Sequence, residues 1–193
     1  MLFNHQSSID LMSLFEIWPL LGNCGPIAKR ELLLIQPFGL ACWMCGAEFI
    51  NRFGNVHLLF CVSCVILYPS RRSKTSHDDI NQMGARAKEE GKKLMIFPEG
   101  TRNSKKGLTM LPFKKGAFHI AIDGKLPILP VVLSEYDFLD TKKWIFNPGK
   151  VTIKVLPRID TSEYTKENID DLVAHTRNMM LEELKNISKP KTE

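Results

Sequence analysis

The sequence predicts an α/β domain in which a mixed, mostly parallel sheet is flanked by helices. Two observations predict it. Short apolar runs such as Leu94-Met95-Ile96-Phe97 and Ile128-Leu129-Pro130-Val131-Val132-Leu133 alternate along the chain with longer segments of helical period. A polar string, Glu99-Gly100-Thr101-Arg102, also stands at the end of one such run, where α/β sheets usually place their ligands.

The elements follow in order. Ile9, Met12, Leu14, Phe15, Trp18 and Leu21 recur at about helical spacing, with Ser7 or Ser8 as the N-cap and Pro19 straining the end. Residues 27–29 and 47–51 read as strands with a short helix, broken by Pro and Gly, between them. Asp78 or Asp79 caps a helix that runs to Gly91, and Lys92 to Phe97 is a buried strand stopped by Pro98. A helix from about Lys114 to Ile122 leads to the strand Pro127 to Leu133. Val151 to Leu156 alternates as one more strand. Thr165 caps a last helix whose Ile169, Leu172, Val173, Thr176, Met179, Met180 and Leu184 share one face. Lys185 onward frays, and residues 188–193 form a disordered tail.

At 193 residues the chain is long enough for one domain with its own core, placed at 1–187, and 44% hydrophobic with 24% charged residues is ordinary for a globular protein. The formal charge of +5 suits anionic partners. Nucleic acid is set aside, because the lysines carry no interleaved aromatic platform. Lys105-Lys106 and Lys114-Lys115 read as a solvated basic face.

Two short motifs nominate a chemistry. His5 and Asp10 at i and i+5 would lie about 140° apart on a continuous helix, so the helix must begin between them for the two to touch. His5 then sits in the turn before the helix and Asp10 in its first turn. The carboxylate can fix the imidazole tautomer and leave the other ring nitrogen to take a proton from an alcohol. Ninety-odd residues later, Gly100 permits close backbone approach, Thr101 offers a hydroxyl, and Arg102 can grip a phosphate in bidentate fashion.

Asn4-His5 through Asp10 resembles the His-four-residues-Asp motif of the glycerolipid acyltransferases, and Phe97 to Arg102 resembles that family's phosphate motif. Gly46-Ala47-Glu48-Phe49-Ile50-Asn51-Arg52 is similar to its second motif, and Pro127-Ile128-Leu129-Pro130-Val131-Val132 to its fourth. The four blocks stand in the family's order from residue 4 to residue 132.

The resemblance implies transfer of a fatty acyl group from acyl-CoA to the sn-2 hydroxyl of lysophosphatidic acid, giving phosphatidic acid. His5 and Asp10 would be catalytic. Arg52, Glu99, Gly100, Thr101 and Arg102 would serve the substrate phosphate, with Glu99 ordering the loop, and Pro127, Ile128 and Pro130 would line the acyl side. No metal and no resident cofactor is expected, because a thioester is already activated; acyl-CoA is a co-substrate. The implied partners are acyl-CoA, lysophosphatidic acid and a membrane surface, with the endoplasmic reticulum as compartment. The alternative is a catalytically silent truncated or splice-variant relative that binds lysophospholipid or a membrane surface.

Three features depart from that pattern. Cys42 and Cys45, with Cys61 and Cys64, have the spacing of a zinc site, but their apolar surroundings predict buried free cysteines. Phe53 to Ser70 reads as an insertion, of the kind a retained intron or splice variant leaves, and its apolar core Leu58 to Leu67 is too short for a membrane helix of ~20 residues. Only Met1-Leu2-Phe3 precedes the Asn-His motif. The family's N-terminal membrane helices and first strand are therefore expected to be missing, with an open sheet edge beside His5 and no transmembrane helix. His57, His77, His119 and His175 are expected to have structural or surface roles.

Overall fold

The structure, a computed structural model, describes residues 1–7, 9–29, 33–50, 60–61, 64–65, 76–103, 107–140 and 143–188. Five parallel strands form the sheet's body: β1 (Leu2–Phe3), β2 (Cys24–Lys29), β3 (Glu48–Ile50), β6 (Lys93–Met95) and β7 (Pro130–Leu133), with β10 (Ile153–Val155) antiparallel at one edge. The short pair β4 (Phe60–Cys61) and β5 (Cys64–Val65) falls between β3 and β6 in sequence. A second antiparallel pair, β8 (Leu139–Asp140) and β9 (Ile145–Phe146), follows β7.

β1 joins the two halves of the sheet. It pairs with β7 through Leu2↔Pro130 and Phe3↔Val131, and its Leu2 bridges Ile96, just past β6. The Phe3 N–H donates to the Ile96 carbonyl at 3.0 Å, and the Ile96 N–H to the Met1 carbonyl at 3.0 Å. The spatial order is thus β3-β2-β6-β1-β7-β10. This corrects one expectation. The place ahead of His5 is filled by a short strand at the centre of the sheet, so no edge opens there.

Alternation puts successive residues of β1 on opposite faces. Leu2 joins Val132, Ile128, Phe118, Leu172 and Met180, beneath the helices α4 (Gly116–Gly124) and α5 (Ile169–Ile187). Phe3 joins Val131, Met95, Cys24 and Leu14, the last from α1 (Asp10–Leu21) on the other face. α2 (Phe38–Met44) links β2 to β3, and α3 (Ser76–Glu89) packs on α4.

The strands and helices foreseen over described residues are present, with local corrections at their ends. α1 begins at Asp10 with Ile9 at the N-cap position and no side-chain cap, while Ser8 lies outside the described residues. Ser7 does not cap the helix: its Oγ accepts only the Ile9 N–H, at 3.5 Å. Pro19 sits in the last turn without ending the helix. α3 starts at Ser76, ahead of Asp78, and the cap position of α5 is Asn168 rather than Thr165. α5 runs past Lys185 to Ile187, because its last turns still bury Leu184 at the core. β2 is longer than the stretch 27–29 foreseen for it. The β8–β9 hairpin had no counterpart in the sequence reading.

Most of the stretch 53–70, together with His57 and the tail from 189, lies outside the described residues, and His77 stands in the first turn of α3 with nothing described of its side chain; within 53–70, β4 and β5 pair as Cys61↔Cys64 and Phe60↔Val65. Among the described residues no helix is long and apolar enough to cross a membrane.

Phe3 is fully buried and touches both the sheet and α1. Phe3→Ala is expected to lower stability by about 3–5 kcal/mol, measured as a fall in the denaturant midpoint with the slope unchanged.

Candidate active site

The peptide after β1 is held at every position. Asn4 is 1% exposed and extends the β1–β7 ladder with its side chain: its Nδ2 donates to the Leu133 carbonyl at 3.0 Å, and its Oδ1 accepts the Leu133 N–H at 2.8 Å. Gln6 donates through Nε2 to the carbonyls of Leu133 and Ser134, each at 3.0 Å. On the opposite side, the His5 carbonyl accepts the Asn103 N–H at 2.8 Å.

Two buried carboxylates take the amide protons of this peptide. The His5 N–H donates to Glu99 Oε1 at 2.9 Å, and the Leu111 N–H donates to Glu99 Oε2 at 2.8 Å. Asp10 Oδ2 accepts the Gln6 N–H at 2.8 Å, and both its oxygens accept the Ser7 N–H at 3.1 Å. The same Oδ2 lies 2.7 Å from His5 Nδ1. Asp10 is 0% exposed, whereas the His5 side chain keeps 22% of its surface. The imidazole stacks on Phe97, with ring centroids 4.2 Å apart at 26°. Nδ1 therefore carries the proton toward Asp10, and Nε2 is left as the basic nitrogen.

Glu99 is 2% exposed and faces inward, with both oxygens on backbone amides. Burial raises its carboxyl above the ordinary 4.5, opposed by the His5 and Leu111 amides. Gly100 has φ +67, and a Cβ there would stand 2.9 Å from Lys114 Cδ and 3.0 Å from Lys114 Nζ. The left-handed φ is what favours glycine there, since the flexible end of the exposed Lys114 side chain could give way. Thr101 and Arg102, next in the chain, are exposed, and Arg52 lies outside the described residues.

The fourth motif is distributed differently from the first and third. Ile128 and Pro130 are buried in the sheet, and Pro127 is exposed at its entrance. Pro127, Ile128 and Leu129 border an apolar cavity of about 270 Å³, together with Leu2, Leu94, Ile96, Ala117 and Ile120. This cavity opens at the Met1 end of β1, opposite the end that carries His5.

Residues the sequence reading passed over complete the site. Asn4 and Gln6 tie the His5 peptide to β7, and Asn103 ties it to the loop that follows Glu99; only their polar character inside an apolar context hinted at this. Lys114, read as solvated, covers Gly100. Tyr136 is buried beside Asp10 and Ser13 without reaching hydrogen-bond geometry. Burial, reinforced by the Asp10 charge, keeps its phenol protonated well above the usual range. His175 is exposed as expected. Cys24 is buried and Cys42 partly so, but Cys45 is exposed, because it stands in the turn that ends α2. Nothing is described of the Cys61 and Cys64 side chains, so the four-thiol reading falls partly outside the described residues.

A family model described as Acyltransferase matches residues 1–134, and the chain belongs to that family. Its relatives there are narrower in name. The 1-acyl-sn-glycerol-3-phosphate acyltransferase alpha of Homo sapiens is 37% identical over 186 residues, which are 96% of this chain and 58% of that protein. The human beta form is 40% identical over 187 residues, 96% of this chain and 59% of its own length. The 1-acyl-sn-glycerol-3-phosphate acyltransferase of Saccharomyces cerevisiae is 35% identical over 97% of this chain and 55% of its own length. The chain thus spans somewhat more than half of these relatives. The crystal structure of the 1-acyl-sn-glycerophosphate (LPA) acyltransferase PlsC from Thermotoga maritima matches the fold with a TM-score of 0.68 at 22% identity, covering 100% of this chain and 67% of that one. The mostly parallel α/β class read from the sequence is the class observed.

Removing Glu99 strands two buried amides, so Glu99→Ala should cost roughly 2–4 kcal/mol in denaturant unfolding. The pH dependence has a definite sign. With the folded carboxyl raised above 4.5, the folded state holds its proton more tightly than the unfolded chain. This group's contribution is full below 4.5 and is lost as pH rises through the raised value. The stability difference between the parent protein and Glu99→Gln should therefore shrink as pH rises across that window.

Proposed function

We propose that this chain carries the site of an acyl-CoA-dependent 1-acylglycerol-3-phosphate O-acyltransferase. It transfers a fatty acyl group to the sn-2 hydroxyl of lysophosphatidic acid to give phosphatidic acid. The observation that carries the reading is the 2.7 Å contact between His5 Nδ1 and the fully buried Asp10, at the sheet end shared with the Glu99–Arg102 loop. The names of the relatives, which specify 1-acyl-sn-glycerol-3-phosphate as acceptor, support the substrate class.

His5 Nε2 takes the proton of the sn-2 hydroxyl as its oxygen attacks the thioester carbonyl. Asp10 holds the ring in the tautomer that leaves Nε2 basic and stabilises the imidazolium that forms. Collapse of the tetrahedral intermediate breaks the C–S bond, and the proton passes from Nε2 to the departing CoA thiolate. Arg102, with Arg52 and the Gly100–Thr101 backbone, holds the acceptor phosphate so that the hydroxyl reaches His5. Lys114 adds a cation above Gly100. Glu99 acts at one remove, by fixing the His5 peptide. The resemblance assigns Pro127, Ile128 and Pro130 to the acyl side; Ile128 and Pro130 are buried in the sheet, so they would support that side from within rather than line it. The thioester supplies the activation, so the step calls for no metal or further cofactor. Substrate and product are lipids, which puts the reaction at a membrane surface, with the endoplasmic reticulum as the compartment the family resemblance implies.

The test is transfer of labelled acyl groups from acyl-CoA to lysophosphatidate by the purified protein. His5→Ala should lower kcat by about 10²- to 10⁴-fold in protein that circular dichroism shows to be folded, and equal activity in both proteins would overturn the mechanism. Arg102→Ala should chiefly raise KM for lysophosphatidate and leave KM for acyl-CoA near its original value, a split that steady-state kinetics with each substrate varied will read.

A further inference from the structure

The β8–β9 hairpin carries an apolar tip that packing does not explain. Trp144 is 95% exposed, Phe146 71% and Ile145 41%, three consecutive residues on one projection. Single exposed apolar residues are ordinary, but a contiguous aromatic tip is not. The backbone is also strained there. Trp144 has φ +54, a left-handed conformation that a bulky residue rarely adopts and that Gly or Asn would take at lower cost.

The hairpin's base is built into the fold beside the candidate site. The Asn147 N–H donates to the Phe138 carbonyl at 3.0 Å, and Gly149 lies so close to the Phe138 ring that a Cβ there would collide with it. Phe146 meets Phe138 edge-on at 6.1 Å between centroids, and Phe138 meets Tyr136 at 5.6 Å. Tyr136 in turn is buried beside Asp10. An unbroken row of rings therefore runs from the carboxylate that faces His5 to the exposed tip.

We propose that this tip is a bilayer anchor: Trp144, Ile145 and Phe146 enter the headgroup region of an anionic membrane and set the candidate site against the lipid surface. The chemistry of the patch fits that occupant. Indole and phenyl rings are favoured at the boundary between headgroups and acyl chains. Lys142 and Lys143 precede the tip in sequence, Lys150 follows it, and the whole chain is formally +5, which suits anionic headgroups. The proposal rests on the lipid-substrate reading only for why the site should face a membrane; the binding itself stands apart from it.

The test uses the full chain with Trp18→Phe and Trp43→Phe, so that Trp144 is the only tryptophan and can be excited selectively over the tyrosines, and vesicles of phosphatidylcholine containing phosphatidylglycerol. Trp144 emission should shift to the blue on adding vesicles and be quenched when the phosphatidylcholine is brominated in its acyl chains. Trp144→Gly, in the otherwise unaltered chain, relieves the strain and removes the ring. It should leave the thermal midpoint unchanged or raised while lowering vesicle partition at least about tenfold in co-sedimentation.

Partition that survives Trp144→Gly, or Trp144 emission indifferent to brominated lipid, would overturn the proposal. So would self-association without lipid that Trp144→Gly abolishes, since the tip would then be a contact between copies of the chain. In the transfer assay, Trp144→Gly should depress turnover of vesicle-borne lysophosphatidate and spare a soluble short-chain analogue; equal turnover of the vesicle-borne acceptor would count against the anchor. Absence of transfer in every protein would refute the enzymatic reading while the partition measurement still decided the anchor.

Discussion

Three consecutive backbone amides, those of His5, Gln6 and Ser7, end on two buried carboxylates, and the rest of the site depends on that arrangement. A buried carboxylate is costly unless hydrogen bonds replace its water. Here the replacements are main-chain donors that would themselves be costly if left unpaired. Each requirement satisfies the other, and the result is a turn with little freedom. His5 leaves that turn with its Nδ1 already on Asp10, so orientation of the imidazole is part of the fold rather than a step taken on substrate binding. Glu99 performs the matching task from the loop after β6, taking the His5 amide on one oxygen and the Leu111 amide on the other. The two motifs, distant in sequence, are in effect one hydrogen-bonded unit.

That unit needs a rigid platform, which a strand of two residues supplies. β1 is short, but it lies between β7 and the end of β6, with Leu2 facing one layer of helices and Phe3 facing the other. Both residues are almost fully buried, so the strand is held by packing on two faces as well as by ladders on both edges. Asn4 prolongs the ladder with its side chain where the main chain turns away. Central position, not length, makes the segment stiff. The hairpin after β7 is a two-stranded sheet of its own, and ring contacts reach from Tyr136 to its Phe146.

Local patterns made much of this legible. The periodic run Ile9 to Leu21 and the facing residues of the last helix marked α1 and α5, and apolar runs marked β6 and β7. The geometric argument that a helix must begin between His5 and Asp10 also matches the observed start at Asp10. Capping was read less well. Ser7 and Thr165 have the right chemistry for caps, yet neither α1 nor α5 has a side-chain cap: Asp10 takes the Gln6 and Ser7 amides ahead of α1, and Asn168, at the cap position of α5, accepts the Thr165 N–H instead. A two-residue strand and a short hairpin have too little sequence to show a period, which is why β1 and β8–β9 left no readable trace.

What the sequence determined by itself is the set of chemical groups and the alternation of elements: a histidine and an aspartate five apart, an acidic, glycine, hydroxyl and arginine string at a strand end, and an α/β order. These are local properties, carried by residue type and spacing. Only the tertiary structure decided which groups face each other. It turned Glu99 inward onto the His5 amide, brought Lys114 over Gly100, and set Tyr136 beside Asp10. It also separated the cavity by Pro127 and Ile128 from the end of β1 that bears His5. Those relations join residues from fourteen to more than a hundred positions apart, and they follow from strand order and burial rather than from local sequence pattern.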